Sequence, residues 1–166
     1  MKILVTGTPG VGKTTLSKEI AEAKKIEHID ISAFIKSNKI YESYNKEFDS
    51  LVFDENTVKD FLNEYIKNKA SFIIDTHSPT VAIDINFDFI FHITCSTSVL
   101  GKRLADRKYS ETKIMENLES EIFNVIGEEI EEYFGEKVWT INGSGLPNED
   151  DEFTVEDVFN ILDGKF

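Results

Sequence analysis

The stretch "GTPGVGKTT", Gly7 to Thr15, carries Gly-x-x-x-x-Gly-Lys-Thr directly after the apolar run "KILVT". Glycines in such a loop let the backbone curl so that successive N–H groups point inward at phosphate oxygens, an approach that side chains would block. Lys13 supplies a positive charge to β and γ phosphates, and the Thr14 hydroxyl is placed to bind Mg²⁺. A helix opening at Lys13 adds its positive N-terminal end to the same anion. The loop therefore predicts a bound nucleoside triphosphate. No Asn-Lys-x-Asp for guanine accompanies it: "NKIY", "NKEF" and "NKAS" all lack the acid, which speaks against a GTPase.

Two further groups bear on where a phosphate would go. In "FIIDTHS", Asp75 ends an apolar strand, where open α/β sheets place their ligands, and can hold Mg²⁺ through a water. His77, two residues on, is within reach of the γ-phosphate or of an attacking water, although a plain loop hydrogen-bonder would look the same. Of 18 basic residues only Arg103 and Arg107 are arginine. Four positions apart, they share one face of a helix. The rigid guanidinium fork makes bidentate phosphate contacts that lysine cannot copy. Standing before the polar "KYSETK", the pair reads as the hinge of a lid that stabilises charge on a transferred phosphoryl group.

Short apolar runs alternate with amphipathic stretches, the pattern of an α/β fold around a parallel sheet. Strands are predicted at 2–6, 26–30, 71–75, 87–94 and 137–141, and helices at 13–24, 55–68, 97–106, 111–134 and 154–163. The third and fourth strands are nearly continuous in apolar residues, as strands covered on both faces should be. Thr154 and Asp157 make a T-x-x-D variant of the capping box for the last helix, with Gly164 just past its end. The segment 31–53, "ISAFIKSNKIYESYNKEFDSLVF", is too long for a plain connection. It reads as a helical insert over the site, the alternative being a surface excursion with its own small core. "NGSGLPNEDDE" reads as a polar loop.

At 166 residues the chain fits one domain. A formal net charge of −13 argues against nucleic-acid binding, which needs clustered Lys and Arg. It permits a basic partner, and an acidic solvated surface gives the same charge. The single cysteine, Cys95, excludes an internal disulfide or a Cys-based zinc cluster, and its apolar surroundings suggest a buried structural thiol. Neither a signal peptide nor a membrane-length apolar run is seen, so a cytoplasmic protein is expected, or a nuclear one if the source has a nucleus.

On "TGTPGVGKTT" (6–15), "IIDTH" (73–77), "RLADRKYSETKIMENLESEIF" (103–123) and "IYESYNKEFDSLVFDEN" (40–56), the chain resembles the adenylate kinase isoenzyme 6 family. These are small nucleotide kinases also described as ribosome-assembly ATPases. The resemblance extends to about residue 135. It implies an α/β P-loop NTPase fold, a nucleotide-kinase-like three-layer sandwich with a parallel five-stranded sheet. It also implies an NMP-binding insert at about 30–53 and a short lid at about 105–115. Donor and acceptor would be ATP with Mg²⁺ and AMP, and a basic small-subunit ribosomal protein would be a partner.

Carried over by position, Gly10, Gly12, Lys13, Thr14 and Thr15 would bind ATP and Arg107 would be the lid arginine on it. Asp75 and His77 match a Walker B-like pair, the histidine implicated in hydrolysis. The family's arginine for the acceptor phosphate aligns with Lys36, and Ala33 replaces an acidic residue near that helix start. Ser78 stands where the eukaryotic pattern often has glycine. Lysine neutralises phosphate without bidentate geometry, so weak acceptor binding is expected. In "INGSG" no adenine contact is assigned.

Three functions fit one site. In the first, the γ-phosphoryl passes to AMP, with Lys13, Mg²⁺, Arg103 and Arg107 supplying electrostatics and positioning. In the second, an assembly factor that binds a basic protein hydrolyses ATP and His77 positions the water. In the third, some other small metabolite is the acceptor. Transfer to AMP ranks first because it needs only the residues already named.

Overall fold

In a computed structural model, which describes residues 1–48, 50–135, 138–145 and 153–165, the chain opens with β1 (Lys2–Thr6), α1 (Lys13–Lys24) and β2 (Glu27–Asp30). Next come α2 (Ile31–Asn38), an antiparallel hairpin of β3 (Ser43–Asn45) and β4 (Ser50–Val52), and α3 (Glu55–Ile66). β5 (Phe72–Thr76), a 3-10 turn at Pro79–Ala82, β6 (Phe89–Thr94) and α4 (Thr97–Asp106) follow. The described chain ends with α5 (Glu111–Ile122), α6 (Val125–Phe134), β7 (Val138–Asn142), β8 (Phe153–Thr154) and α7 (Asp157–Leu162).

The main sheet runs β2-β5-β1-β6-β7-β8 with every neighbouring pair parallel. Side chains alternate across a strand, and here the alternation divides the core in two. Leu4, Phe72, Ile74 and Ile90 face one layer, with Ile35 of α2, Val58 and Leu62 of α3 and Ile130 of α6. Ile3, Val5, Ile73, Phe91 and Ile93 face the other, with Leu16 and Ile20 of α1, Leu100 and Leu104 of α4 and Val158 of α7. The result is the expected three-layer sandwich. β5 is buried along its whole length, because helices cover both its faces.

Four local expectations change. The insert is a helix followed by a hairpin, with Asp30 capping α2 by accepting from the Ala33 amide. The predicted helix 111–134 is two helices. Asn124 takes a left-handed conformation (φ 51°) and breaks them, and its side chain fills the space where a Cβ on residue 127 would stand, so Gly127 fits there. The last helix begins at Asp157, not Thr154, because Thr154 is already paired in β8. The reach-back half of the expected capping box is present all the same: the Asp157 carboxylate accepts from both the amide and the hydroxyl of Thr154 at 2.8 Å. β8 also adds a two-residue sixth strand to the expected five. Most of the polar loop 142–152, from residue 146 on, and Lys137 at the head of a predicted strand lie outside the described residues.

Candidate active site

Strand order turns about β1, which has β5 on one side and β6 on the other. Open α/β sheets put ligands at such a switch point, beyond the C-terminal strand ends. Residues 7–12 leave β1 there. A Cβ at Gly7 would stand 2.3 Å from the Ile93 carbonyl oxygen, so only glycine lets the loop pass the end of β6. Gly12, at φ 117°, is the N-cap of α1 and turns the loop into the helix within one residue.

Lys13 is the first residue of α1 and is buried, with its Nζ donating to the Thr8 carbonyl at 3.0 Å. Burial lowers its pKa to about 8; Asp75, Glu121 and Asp30 pull it up, and Arg107 pushes it down. The Thr14 hydroxyl donates to Asp75 Oδ2 at 2.5 Å. Asp75 is buried at the end of β5 and lies in register with Asp30 of β2, while His28 Nε2 stands 3.5 Å from its carboxylate.

Three cavities meet at this point. The smallest, about 170 Å³, is lined by Gly10, Gly12, Lys13, Thr14, Thr15 and Asp75, among others. A second, about 490 Å³, shares Gly10, Gly12, Thr15 and Arg107 with it and extends to Ile93, Arg103, Gly143 and Val155. The third, about 590 Å³, shares Pro9, Ser32 and His77 with the smallest. Its walls are Ile35, Leu51 and Phe53 of the insert side and Lys113, Glu116 and Asn117 of α5. His77 thus stands at the junction of the small and the large cavity. The ring is exposed there, yet the cleft walls, and then Lys13, draw its pKa down to about 4. Water at the open face screens that pull, and its direction makes a neutral imidazole at pH 7.

The two arginines part company. Arg107 is the C-cap of α4, exposed, and lines both the small cavity and the 490 Å³ cavity. Arg103 is tied to backbone: its Nη1 donates to Val11 O at 3.0 Å and its Nη2 to Gly143 O at 2.9 Å. The expectation of a paired lid therefore changes. Arg103 braces the phosphate loop against the turn after β7, and Arg107 alone of the two lines the small cavity. Lys36 is exposed on α2, one turn beyond Ser32, and lines none of the three cavities.

A hydroxyl and a carboxylate oxygen converging beside the phosphate loop are the hard donors that Mg²⁺ takes, and Thr14 and Asp75 supply them.

Several of these residues escaped the sequence reading. Asp30 ends a strand just as Asp75 does, and that likeness was a usable signal. His28, Gly143 and Glu121 carry none; Glu121 accepts from the Cys95 amide at 2.7 Å, a contact made only by packing.

The family described as "AAA domain" matches residues 3–124. A "Putative adenylate kinase" of Methanocaldococcus jannaschii is 36% identical over 125 residues, 75% of this chain and 69% of that protein. An "Adenylate kinase isoenzyme 6 homolog" of Plasmodium falciparum is 35% identical, covering 80% of this chain and 79% of its own, and one of Caenorhabditis elegans is 33% identical over 82% and 75%. Among solved structures, shikimate kinase from Bacteroides thetaiotaomicron superposes with a TM-score of 0.57 over 99% of this chain and 97% of that one. At 17% identity, that likeness concerns the fold alone.

Proposed function

We propose that this chain, which belongs to the adenylate kinase isoenzyme 6 family of nucleotide-kinase-like P-loop proteins, transfers the γ-phosphoryl group of ATP to AMP. The observation that carries the reading is the line of three joined cavities. One of about 490 Å³ suits the donor nucleoside, one of about 170 Å³ the transferring phosphate, and one of about 590 Å³ the acceptor.

In this reading the inward loop amides and the N-terminus of α1 hold the β- and γ-phosphates, with Lys13 as their counter-charge. Gly10, Gly12, Thr14 and Thr15 line that cradle. The ammonium is largely protonated at pH 7 even without ligand, and entering phosphates favour its charged form further. Thr14 and Asp75 would hold Mg²⁺, which when bound neutralises charge on the phosphate oxygens. Arg107 spans the donor and phosphate cavities and is placed to follow charge as it develops on the transferred group. Arg103 acts by fixing Val11 and Gly143 rather than by touching phosphate. Lys36 lies near the acceptor cavity without lining it, consistent with loose acceptor binding.

A second reading, ATP hydrolysis, is favoured by one observation. His77 is neutral and sits where the phosphate and acceptor cavities meet, so it can accept a hydrogen bond from an attacking water. In that reading the net charge of −13 suits a basic protein partner, such as the small-subunit ribosomal protein that the resemblance implies.

Both readings are tested by incubating the purified protein with ATP and Mg²⁺, with and without AMP, and following ADP and free phosphate separately. ADP that forms only with AMP, without phosphate release, is the outcome expected for transfer. Phosphate released at a rate indifferent to AMP would overturn it in favour of hydrolysis.

A further inference from the structure

The cavity read as the acceptor site has few means of holding a phosphate. Among the described residues that line it, Glu55, Glu116 and Glu129 are acidic, and Lys113 is the one lysine or arginine. Lys13 and Arg107 line the phosphate cavity instead, and Lys36 lines neither. A nucleoside monophosphate brings a charge of about −1.5 to −2 at pH 7. Carboxylates repel it, so the charge of the cavity wall directs it to Lys113. After burial, the charge of Glu55 helps raise the pKa of Glu129, so these two acids already oppose each other. A phosphate beside them would add a further like charge.

Lys113 is also well placed. It stands in the first turn of α5, where its amide donates to Ser110 Oγ at 3.2 Å. Its Nζ lies 4.0 Å from the centroid of the Tyr109 ring, close enough for the ring face to attract the ammonium. Tyr109 packs on the core layer that holds Leu100 and Leu104 and lines the same cavity as Lys113. That contact fixes where the long side chain ends.

Transfer needs the acceptor phosphate beside the γ-phosphate. It must therefore sit where the acceptor and phosphate cavities meet, at Pro9, Ser32 and His77. The charge of Lys113 is felt there: burial is the main cause of the low pKa of His77, and the ammonium of Lys13 and then that of Lys113 push the same way.

We propose that Lys113 binds the phosphate of the acceptor nucleotide, the role that alignment by position gives to Lys36. This rests on reading the cavity of about 590 Å³ as the acceptor site.

The test uses the full chain and the variants Lys113→Gln, Lys113→Met, Lys113→Arg and Lys36→Gln. Each is titrated at equilibrium with AMP and with adenosine, beside steady-state rates with ATP, Mg²⁺ and AMP and the thermal midpoint. Adenosine lacks only the phosphate, so the ratio of the two Kd values isolates the phosphate contact. The wild type should bind AMP more tightly than adenosine. Lys113→Gln and Lys113→Met should each weaken AMP about tenfold or more while adenosine stays within about twofold and the KM for ATP within about threefold. Lys113→Arg should keep AMP within about threefold, since a cation remains, and so should Lys36→Gln, whose side chain lines no cavity.

An AMP affinity unchanged in Lys113→Gln and Lys113→Met, or equal losses for AMP and adenosine, would overturn the proposal. So would Lys113→Arg as weak as Lys113→Gln, or Lys36→Gln as damaging as Lys113→Gln, because a charge at this position would then not be what binds. Should Lys113→Gln not fold, Lys113→Met decides the matter in the same way. If AMP binding depends on Lys113 but no phosphoryl group reaches AMP, the reading of the reaction fails and Lys113 keeps its role. Normal transfer with an AMP affinity indifferent to Lys113 removes that role alone.

Discussion

Lys13 and Arg107 are both cations at the phosphate cavity, and their surroundings divide the work between them. Lys13 is buried at the N-terminus of α1 with its ammonium already seated on the Thr8 carbonyl, so its charge is present before any ligand arrives. Arg107 is exposed at the end of α4, where the chain leaves the helix for the turn into α5, and lines the cavity from its open side. A planar fork that contacts phosphate only as charge develops contributes to the transition state more than to ground-state binding. Replacing Arg107 by Lys is therefore expected to lower kcat roughly 100-fold while the Kd for ATP shifts by less than about threefold. Steady-state rates alongside equilibrium titration of ATP check this, and an unchanged kcat would remove Arg107 from the transfer step.

At the scale of elements, a hydrogen bond joins the turn after α4 to the insert. Ser110 caps α5 by accepting the Lys113 amide at 3.2 Å and donates its own hydroxyl to the Glu47 carbonyl in the hairpin at 3.3 Å. One small side chain thus starts the helix that forms the acceptor wall and ties it to the insert. Ser110→Ala should cost about 1 kcal/mol of stability, the usual loss of an N-cap, and Ser110→Asp should keep most of it. Urea unfolding midpoints of the three proteins measure the difference; equal midpoints would mean that the cap does not act. The break at Asn124 belongs to the same scale. It lets α6 turn back to bury Ile126 and Ile130 on the sheet layer that faces the insert, whereas α5 packs against α4.

For the molecule as a whole, acid is the revealing variable. His92 is buried at the centre of the sheet, in register with Thr6 of β1 and Thr140 of β7. Burial, and then the charge of Lys13, lowers its pKa to about 4, against 6.5 for the unperturbed group. The unfolded chain thus binds a proton that the folded chain refuses between those values. Stability from this residue is fully present above about pH 6.5 and is lost as pH falls toward 4, by about 3 kcal/mol at the lower end. The many surface carboxylates behind a net charge of −13 also titrate on acidification, but their contribution is common to the wild type and a variant. His92→Gln should therefore lose less stability than the wild type between pH 7 and pH 4.5. Parallel unfolding curves for the two would show that His92 is not the group at work.

The sequence by itself determined whatever depends on neighbours along the chain. The phosphate loop, the strand before it, the helix after it, and Asp75 at a strand end were all legible, because loop curvature, strand alternation and helix periodicity are local properties. The five main strands fell within two residues of their predicted bounds for the same reason. Only the tertiary structure decided that Arg103 braces the loop while Arg107 lines the small cavity. The bond from Arg103 to Val11 joins residues 92 positions apart, and helical spacing puts both arginines on one face without saying what that face meets. Tertiary packing likewise brought His28 to Asp75 and Glu121 to the Cys95 amide, since a side chain's partner across the fold depends on how layers stack and not on the pattern within any one of them.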